Sequence, residues 1–212
     1  MRRRHLQRAL AGIAVAAIGL LLVLLGLVLR DPSSYAKAGV AEGEERRRLS
    51  GEFQSAVFQM MPGSTTESEW QETFTAEQIN SYFAEDFLRA KPFELPAGVH
   101  SPRVRIATDS LELSFRYGKG FWSSVVSIDM KIWLVAAEPN TIAVEILRTR
   151  AGTLPLSLRS FIERYLRSNR DWNVDVTWYR HQGRPVALVR LNGDPQRAPF
   201  LLQRLELQSG QL

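Results

Sequence analysis

Hydrophobic and polar positions divide the chain into stretches of three different periods. From Ala9 to Leu29 it reads ALAGIAVAAIGLLLVLLGLVL, twenty-one residues without a charged or strongly polar side chain. At a rise of about 1.5 Å per residue this length crosses the roughly 30 Å hydrocarbon core of a bilayer. Residues 9–29 are therefore predicted to form a transmembrane helix. Gly12, Gly19 and Gly26 are compatible with it, because in lipid the helical backbone must satisfy its own hydrogen bonds and glycine is common there.

The next period is that of an amphipathic helix. Asp31-Pro32 offers an N-cap acceptor followed by proline at the first helical position. Leu49, Phe53, Val57 and Met60 then recur at helical spacing, with Glu44, Glu45 and Glu52 among arginines on the other faces. Residues 33–60 read as a stalk helix, frayed near Gly39 and Gly43 and with its last turns expected to dock on the domain, and PGSTTESE from Pro62 to Glu69 as a polar linker. Thr75-Ala76-Glu77-Gln78 matches a capping box. It opens a helix that carries Ile79, Tyr82, Phe83, Phe87 and Ala90 on the side expected to pack on a sheet.

After a proline-rich stretch from Lys91 to Pro102, read as an extended loop, the period falls to two. Val104, Ile106 and Thr108 alternate, then Leu111, Leu113, Phe115 and Tyr117, then a long run from Phe121 to Ala137, then Ile142, Val144 and Ile146. Gly152-Thr153-Leu154-Pro155-Leu156 interrupts the strands and leads into a helical stripe of Leu158, Phe161, Ile162, Tyr165 and Leu166. Three more strands are expected, around Val174–Trp178, Pro185–Leu191 and Phe200–Gln208. Short turns between neighbours imply antiparallel pairing. The expected fold class is α+β: a transmembrane helix and stalk helix, then two helices packed on a curved antiparallel sheet of about seven strands. The expected segments are a cytoplasmic basic tail (1–8), the transmembrane helix (9–29), stalk and linker (30–69) and an extracytoplasmic domain (70–212).

Charge changes the reading of the whole. An isoelectric point near 9.9 invites nucleic acid as a partner, but the excess is local. Residues 1–30 hold Arg2, Arg3, Arg4, Arg8 and Arg30 and no acid; with totals of 27 basic and 22 acidic residues, residues 31–212 balance at 22 of each. A nucleic-acid binder needs a basic face over the phosphates, and this balance supplies none on average. The arginines report topology instead: by the positive-inside rule the N-terminus is cytoplasmic and residues 31–212 lie outside. The rival reading is a cleaved signal peptide, for which Ala36-Lys37-Ala38 offers a small-x-small site. An anchor is preferred because signal peptides have apolar regions of roughly 7–15 residues close to the cut.

Candidate chemistry is sparse. The chain has no cysteine, hence no disulfide or thiolate chemistry. Its three histidines, His5, His100 and His181, lack zinc-motif spacing. There is no G-x-S-x-G elbow and no phosphate-binding glycine loop. Glu85, Asp86, Asp171 and Asp175 read as solvated carboxylates. No metal, cofactor or catalytic residue is assigned, and a hydrolase of unrecognised type is kept as an alternative. The remaining candidates are aromatic: Phe115, Trp122, Trp133 and Trp178 either pack in and around the sheet or line an apolar, lipid-accepting cavity beside the bilayer. The expected partners are the membrane, through residues 9–29, with a lipid or an envelope protein. An accessory role in a larger membrane complex is the alternative.

Two motifs, Phe74 to Phe83 (FTAEQINSYF) and Gly152-Thr153-Leu154-Pro155-Leu156 leading to Phe161 and Leu166, together with the order of elements, resemble the YpmS-like family of membrane-anchored bacterial proteins. The likeness covers about half of the outer domain. It implies an extracytoplasmic α+β domain without assigned catalysis, similar to lipid-accommodating helix-on-sheet folds, and it transfers no catalytic residue.

Overall fold

The structure is a computed structural model that describes residues 2–60, 71–90, 95–156, 174–191 and 201–212. It opens with α1 (Arg2–Leu29), a helix long and apolar enough to cross a membrane. Three short helices follow, α2 (Ser33–Lys37), α3 (Glu44–Gln59) and α4 (Ala76–Glu85), with a last turn α5 (Phe87–Ala90). The strands are β1 (Val99–Ala107), β2 (Ser110–Tyr117), β3 (Ser124–Leu134), β4 (Thr141–Ala151), β5 (Leu154–Pro155), β6 (Val174–His181) and β7 (Arg184–Leu191). The expected linker, most of the proline-rich stretch before Leu95, the second helix with its Leu158–Leu166 stripe, and Asp171 lie outside the described residues.

The sheet is antiparallel and open, in the order β1-β2-β3-β4-β7-β6, with the two-residue β5 added to β4. Seven strands were expected, but the seventh is β5. Residues 201–207 form no strand; there the Leu202 amide donates to Asn140 Oδ1 at 2.7 Å. The end of the chain is a strap instead. Phe74 and Leu212 exchange backbone hydrogen bonds at 2.8 Å, and Gly210 N–H donates to Ile106 O at 3.0 Å. Beside the strap, Asn80 of α4 uses its side chain as a strand would, donating to Val104 O and accepting from Val104 N–H at 2.8 and 2.7 Å. Strap and asparagine together occupy outer backbone groups of β1 at Val104 and Ile106, which on an edge would otherwise invite pairing with another chain.

The capping box of α4 forms as read: Gln78 N–H donates to Thr75 Oγ1 and Thr75 N–H to Gln78 Oε1. Its aromatic side, however, meets α3. Phe53 meets Phe74 edge-on and Tyr82 at a tilt, with centroids 5.2 and 5.0 Å apart, and Phe83 and Phe87 extend the cluster. The stalk reading is corrected accordingly. Gly43, at φ 156°, separates α2 from α3, and α3 packs on the domain along its length. Arg46 Nε donates to Glu85 Oε1 at 2.6 Å, while Ser50 and Gln54 donate to Asp86 Oδ2 at 2.6 and 2.9 Å. Glu85 and Asp86, expected in solvent, therefore tie α3 to α4. The spacing of Leu49, Phe53 and Val57 was legible, but the partner for that stripe was not.

β1 also starts earlier than expected, at Val99. Pro102 lies in a register shift between His100 and Arg103, with Ser101 at φ 51°. A bulge on an edge strand tolerates a residue with no N–H. A second shift, between β3 and β4, leaves Leu147 as an extra residue on β4. The core sits on both faces of the central strands. Val104, Ile106, Val126 and Ile128 are buried on one face; Val125, Ser127, Ser114 and Glu112 are buried on the other. That second face is rich in polar side chains yet is not open to water. α2 and a layer of arginines seal it.

Candidate functional site

The candidate site is the seam where α1 ends against the sheet. A helix leaves its last four carbonyls without intrahelical donors, and leucine and valine at the end of α1 have no side chain to supply one. The domain supplies them. Thr153 N–H donates to Leu27 O at 3.0 Å, Thr153 Oγ1–H to the same oxygen at 3.1 Å, and Ser124 Oγ–H to Val28 O at 2.6 Å. Gly152, at φ 57°, makes this approach feasible, since a Cβ there would overlap the carbonyl oxygens of Leu27 and Val28.

The chain then turns straight onto the sealed sheet face. Asp31 pairs with Arg116 of β2. Ser34 Oγ–H donates to Glu112 Oε1 at 2.8 Å, and Tyr35, 2% exposed, donates its hydroxyl to Ser101 O at 2.9 Å. Arg103 returns a hydrogen bond to Tyr35 O at 2.6 Å and lays its guanidinium 4.1 Å from the Tyr35 ring centroid, with that of Arg116 at 5.4 Å. Pro32 and Tyr35 are thus buried against the domain, and Asp31 and Ser34 are bonded to it.

Beneath α2 lies a ladder of charges. Register sets it: Arg105 faces Glu112, Glu112 faces Asp129, and Asp129 faces Arg148 across successive strands. Glu112 accepts from Arg105 at 2.8 Å, from Ser34 and from Ser114, and Arg150 stands 3.6 Å away. Burial raises the pKa of this carboxyl, but the hydrogen bonds from Arg105, Ser34 and Ser114 and the Arg105 charge outweigh it, so the group is held below its ordinary value of 4.5. Asp129 accepts from Arg148 at 2.9 Å and Arg150 at 3.4 Å. The arrangement neutralises buried charge and welds α2 to the sheet. Among the described residues no group of three or more His, Asp or Glu side chains is placed to hold a metal.

The four aromatic candidates do not converge. Phe115 and Trp178 occupy the same face of the sheet but on β2 and β6, separated by β3, β4 and β7 in the sheet order, whereas Trp133 points to the opposite face, as its neighbour Ile132 shares the face of Val144 and Ala187. Trp122 is not on a strand at all. It lies in a 3₁₀ turn, Gly120–Trp122, and is 68% exposed. Among the described residues the open sheet keeps these rings apart. His100 contacts Ser101 Oγ at 3.0 Å, and His181 is exposed at the end of β6.

Among known proteins, the chain matches no family model, no curated protein and no solved structure. The likeness to the YpmS-like family accordingly rests on its motif residues alone. What the sequence missed is the seam itself. Its one legible trace was Gly152, read as a strand-breaking turn and used as the seat of α1.

Proposed function

We propose that the chain is a single-pass membrane protein whose α+β domain is extracytoplasmic, seated directly on the bilayer, and acts without catalysis by binding an envelope protein or an apolar lipid ligand at that surface. The observation that carries this reading is the seam: residues 27–37 run from the apolar helix into the core of the domain without a free stalk. Cleavage after Ala38 would remove Ser34 and Tyr35, strip Glu112 of a donor and uncover the Val125–Ser127 face. That supports a retained anchor over a signal peptide. The five arginines of residues 1–30, four of them ahead of the apolar run, support the outward orientation.

The test uses the absence of native cysteine. In intact cells a single cysteine at Asp109, in the β1–β2 turn, is expected to react with a membrane-impermeant maleimide, whereas one at Arg4 is expected to react only after lysis. Mass spectrometry is expected to find the apolar segment on the mature chain. A mature N-terminus at Gly39, or labelling of position 109 only after lysis, would overturn the proposal. Co-purification in mild detergent separates the two binding roles, since a stoichiometric membrane partner would make the chain a subunit of a larger complex.

A further inference from the structure

The strand directions place three turns at the end of the sheet that meets α1. β3 begins at Ser124, bonded to Val28 O, and β4 ends at Ala151, next to Gly152 and Thr153. β2 runs antiparallel to β3, so its last residue, Tyr117, faces Ser124. The β2–β3 turn, residues 118–123, therefore projects from the anchor end of the sheet. The β1–β2 turn at Asp109 is at the opposite end.

That turn carries the two most exposed aromatic rings among the described residues. Phe121 is 79% and Trp122 68% exposed, and the two rings meet edge to face at 5.6 Å. Tyr117 at its base is 49% exposed, and Lys119 is exposed beside them. The turn is nonetheless fixed in shape. Gly118 and Gly120 take φ 110° and 54°, Ser123 N–H donates to Gly120 O at 3.2 Å, and a Cβ at Gly118 would stand 2.9 Å from Trp122 O. Arg116 donates to Ser123 Oγ at 3.4 Å while pairing with Asp31, which ties the turn to the first residues after α1.

Distance then selects the occupant. Trp122 is two residues from Ser124, a reach of about 7 Å along the chain, and Ser124 touches the last turn of the apolar helix. The headgroup layer on each side of a bilayer is roughly 5–7 Å thick, and it is where Trp and Tyr collect, ring in the apolar boundary and polar edge in water, with Lys reaching to the phosphates. Resting on the anchor reading above, we propose that the β2–β3 turn, through Phe121 and Trp122 with Lys119 beside them, is a second membrane contact that enters the headgroup layer of the leaflet from which α1 emerges. A single helix leaves a domain free to rotate and tilt about its axis. A wedge beside it fixes which face of the sheet looks along the membrane.

The experiment uses the full chain in liposomes of phosphatidylcholine and phosphatidylglycerol. Single cysteines, F121C in the turn, L21C in the helix and D109C at the far end, carry an environment-sensitive fluorophore, and the lipids carry a quencher in the shallow or the deep part of the acyl chain. Expected are loss of emission by the deep quencher at position 21, loss chiefly by the shallow quencher at position 121, and neither at position 109; W122C should repeat the result for F121C. If position 21 is quenched but positions 121 and 122 behave like 109, the turn stays in water or is reserved for a protein partner, and the proposal falls while the anchor stands. If position 21 is not quenched, the anchor reading fails and the proposal with it.

Discussion

Replacing Gly152 by alanine tests whether α1 and the sheet form one folded unit. Two costs arise there and can be separated. The first is conformational: φ 57° lies in the left-handed region, which costs a residue with a Cβ roughly 1–2 kcal/mol. The second is steric, because the new methyl would occupy the space of Leu27 O and Val28 O. Those oxygens belong to helix backbone and cannot swing aside, so α1 must retreat. Retreat breaks the hydrogen bonds from Thr153 N–H, Thr153 Oγ1 and Ser124 Oγ, each worth about 0.5–1.5 kcal/mol net. Gly183 provides the control, since it takes φ 80° with nothing within 4 Å of the Cβ position. Gly183→Ala is expected to lose about 1–2 kcal/mol, and Gly152→Ala about 1.5–4.5 kcal/mol more from the three hydrogen bonds. For a domain of this size each kcal/mol moves Tm by roughly 2–4 °C, so thermal unfolding of the full chain in detergent, followed by near-ultraviolet circular dichroism, resolves the difference. Equal losses in the two variants would refute the seam, for the helix would then be a tether that the domain does not feel.

Three further outcomes follow from the same contacts. A fragment of residues 31–212 is expected to be more stable to urea than one of residues 39–212, by about 3–5 kcal/mol for the loss of a buried aromatic such as Tyr35; equal midpoints would return residues 31–38 to the status of a linker. Glu112→Gln is expected to lose about 1.5–3 kcal/mol at neutral pH, the range for charge-assisted hydrogen bonds. Because the folded carboxyl is held below 4.5, its contribution is present in full above that value and is lost as pH falls through the lower folded value. Wild type should therefore lose stability more steeply than the variant as pH drops below about 4.5, and parallel acid curves would refute the assignment. Asn80→Ala leaves Val104 N–H and O without partners, at about 1–3 kcal/mol for each unmade bond, and urea unfolding with an unchanged midpoint would show that the asparagine is dispensable to β1.

Elements whose own side chains repeat at one period were legible from the chain. The apolar run to Leu29, the Thr75–Gln78 cap, and the alternation from Leu111 to Tyr117 and from Ile142 to Ile146 each carry their signal within a few residues, because helix and strand geometry impose it locally. Errors fell where a neighbour outside that window decided. Phe200–Gln208 alternates like a strand, yet residues 201–207 form none. Phe121 and Trp122 continue the alternation of β3, yet Gly118 and Gly120 fold them into a turn. Glu112 and Ser114 look like a wet face until α2 covers them.

Composition and short-range period were enough to give the membrane-length helix, the location of the net charge, the α+β class and the antiparallel sheet. Only the tertiary structure decided that residues 31–37 and α3 belong to the domain, that the aromatic candidates are dispersed, and that the turn at Phe121 lies beside the end of α1. The physical reason is that these depend on partners far apart in the chain: a glycine at position 152 seats a helix ending at position 29, and a glutamate at position 112 is buried because a serine at position 34 reaches it.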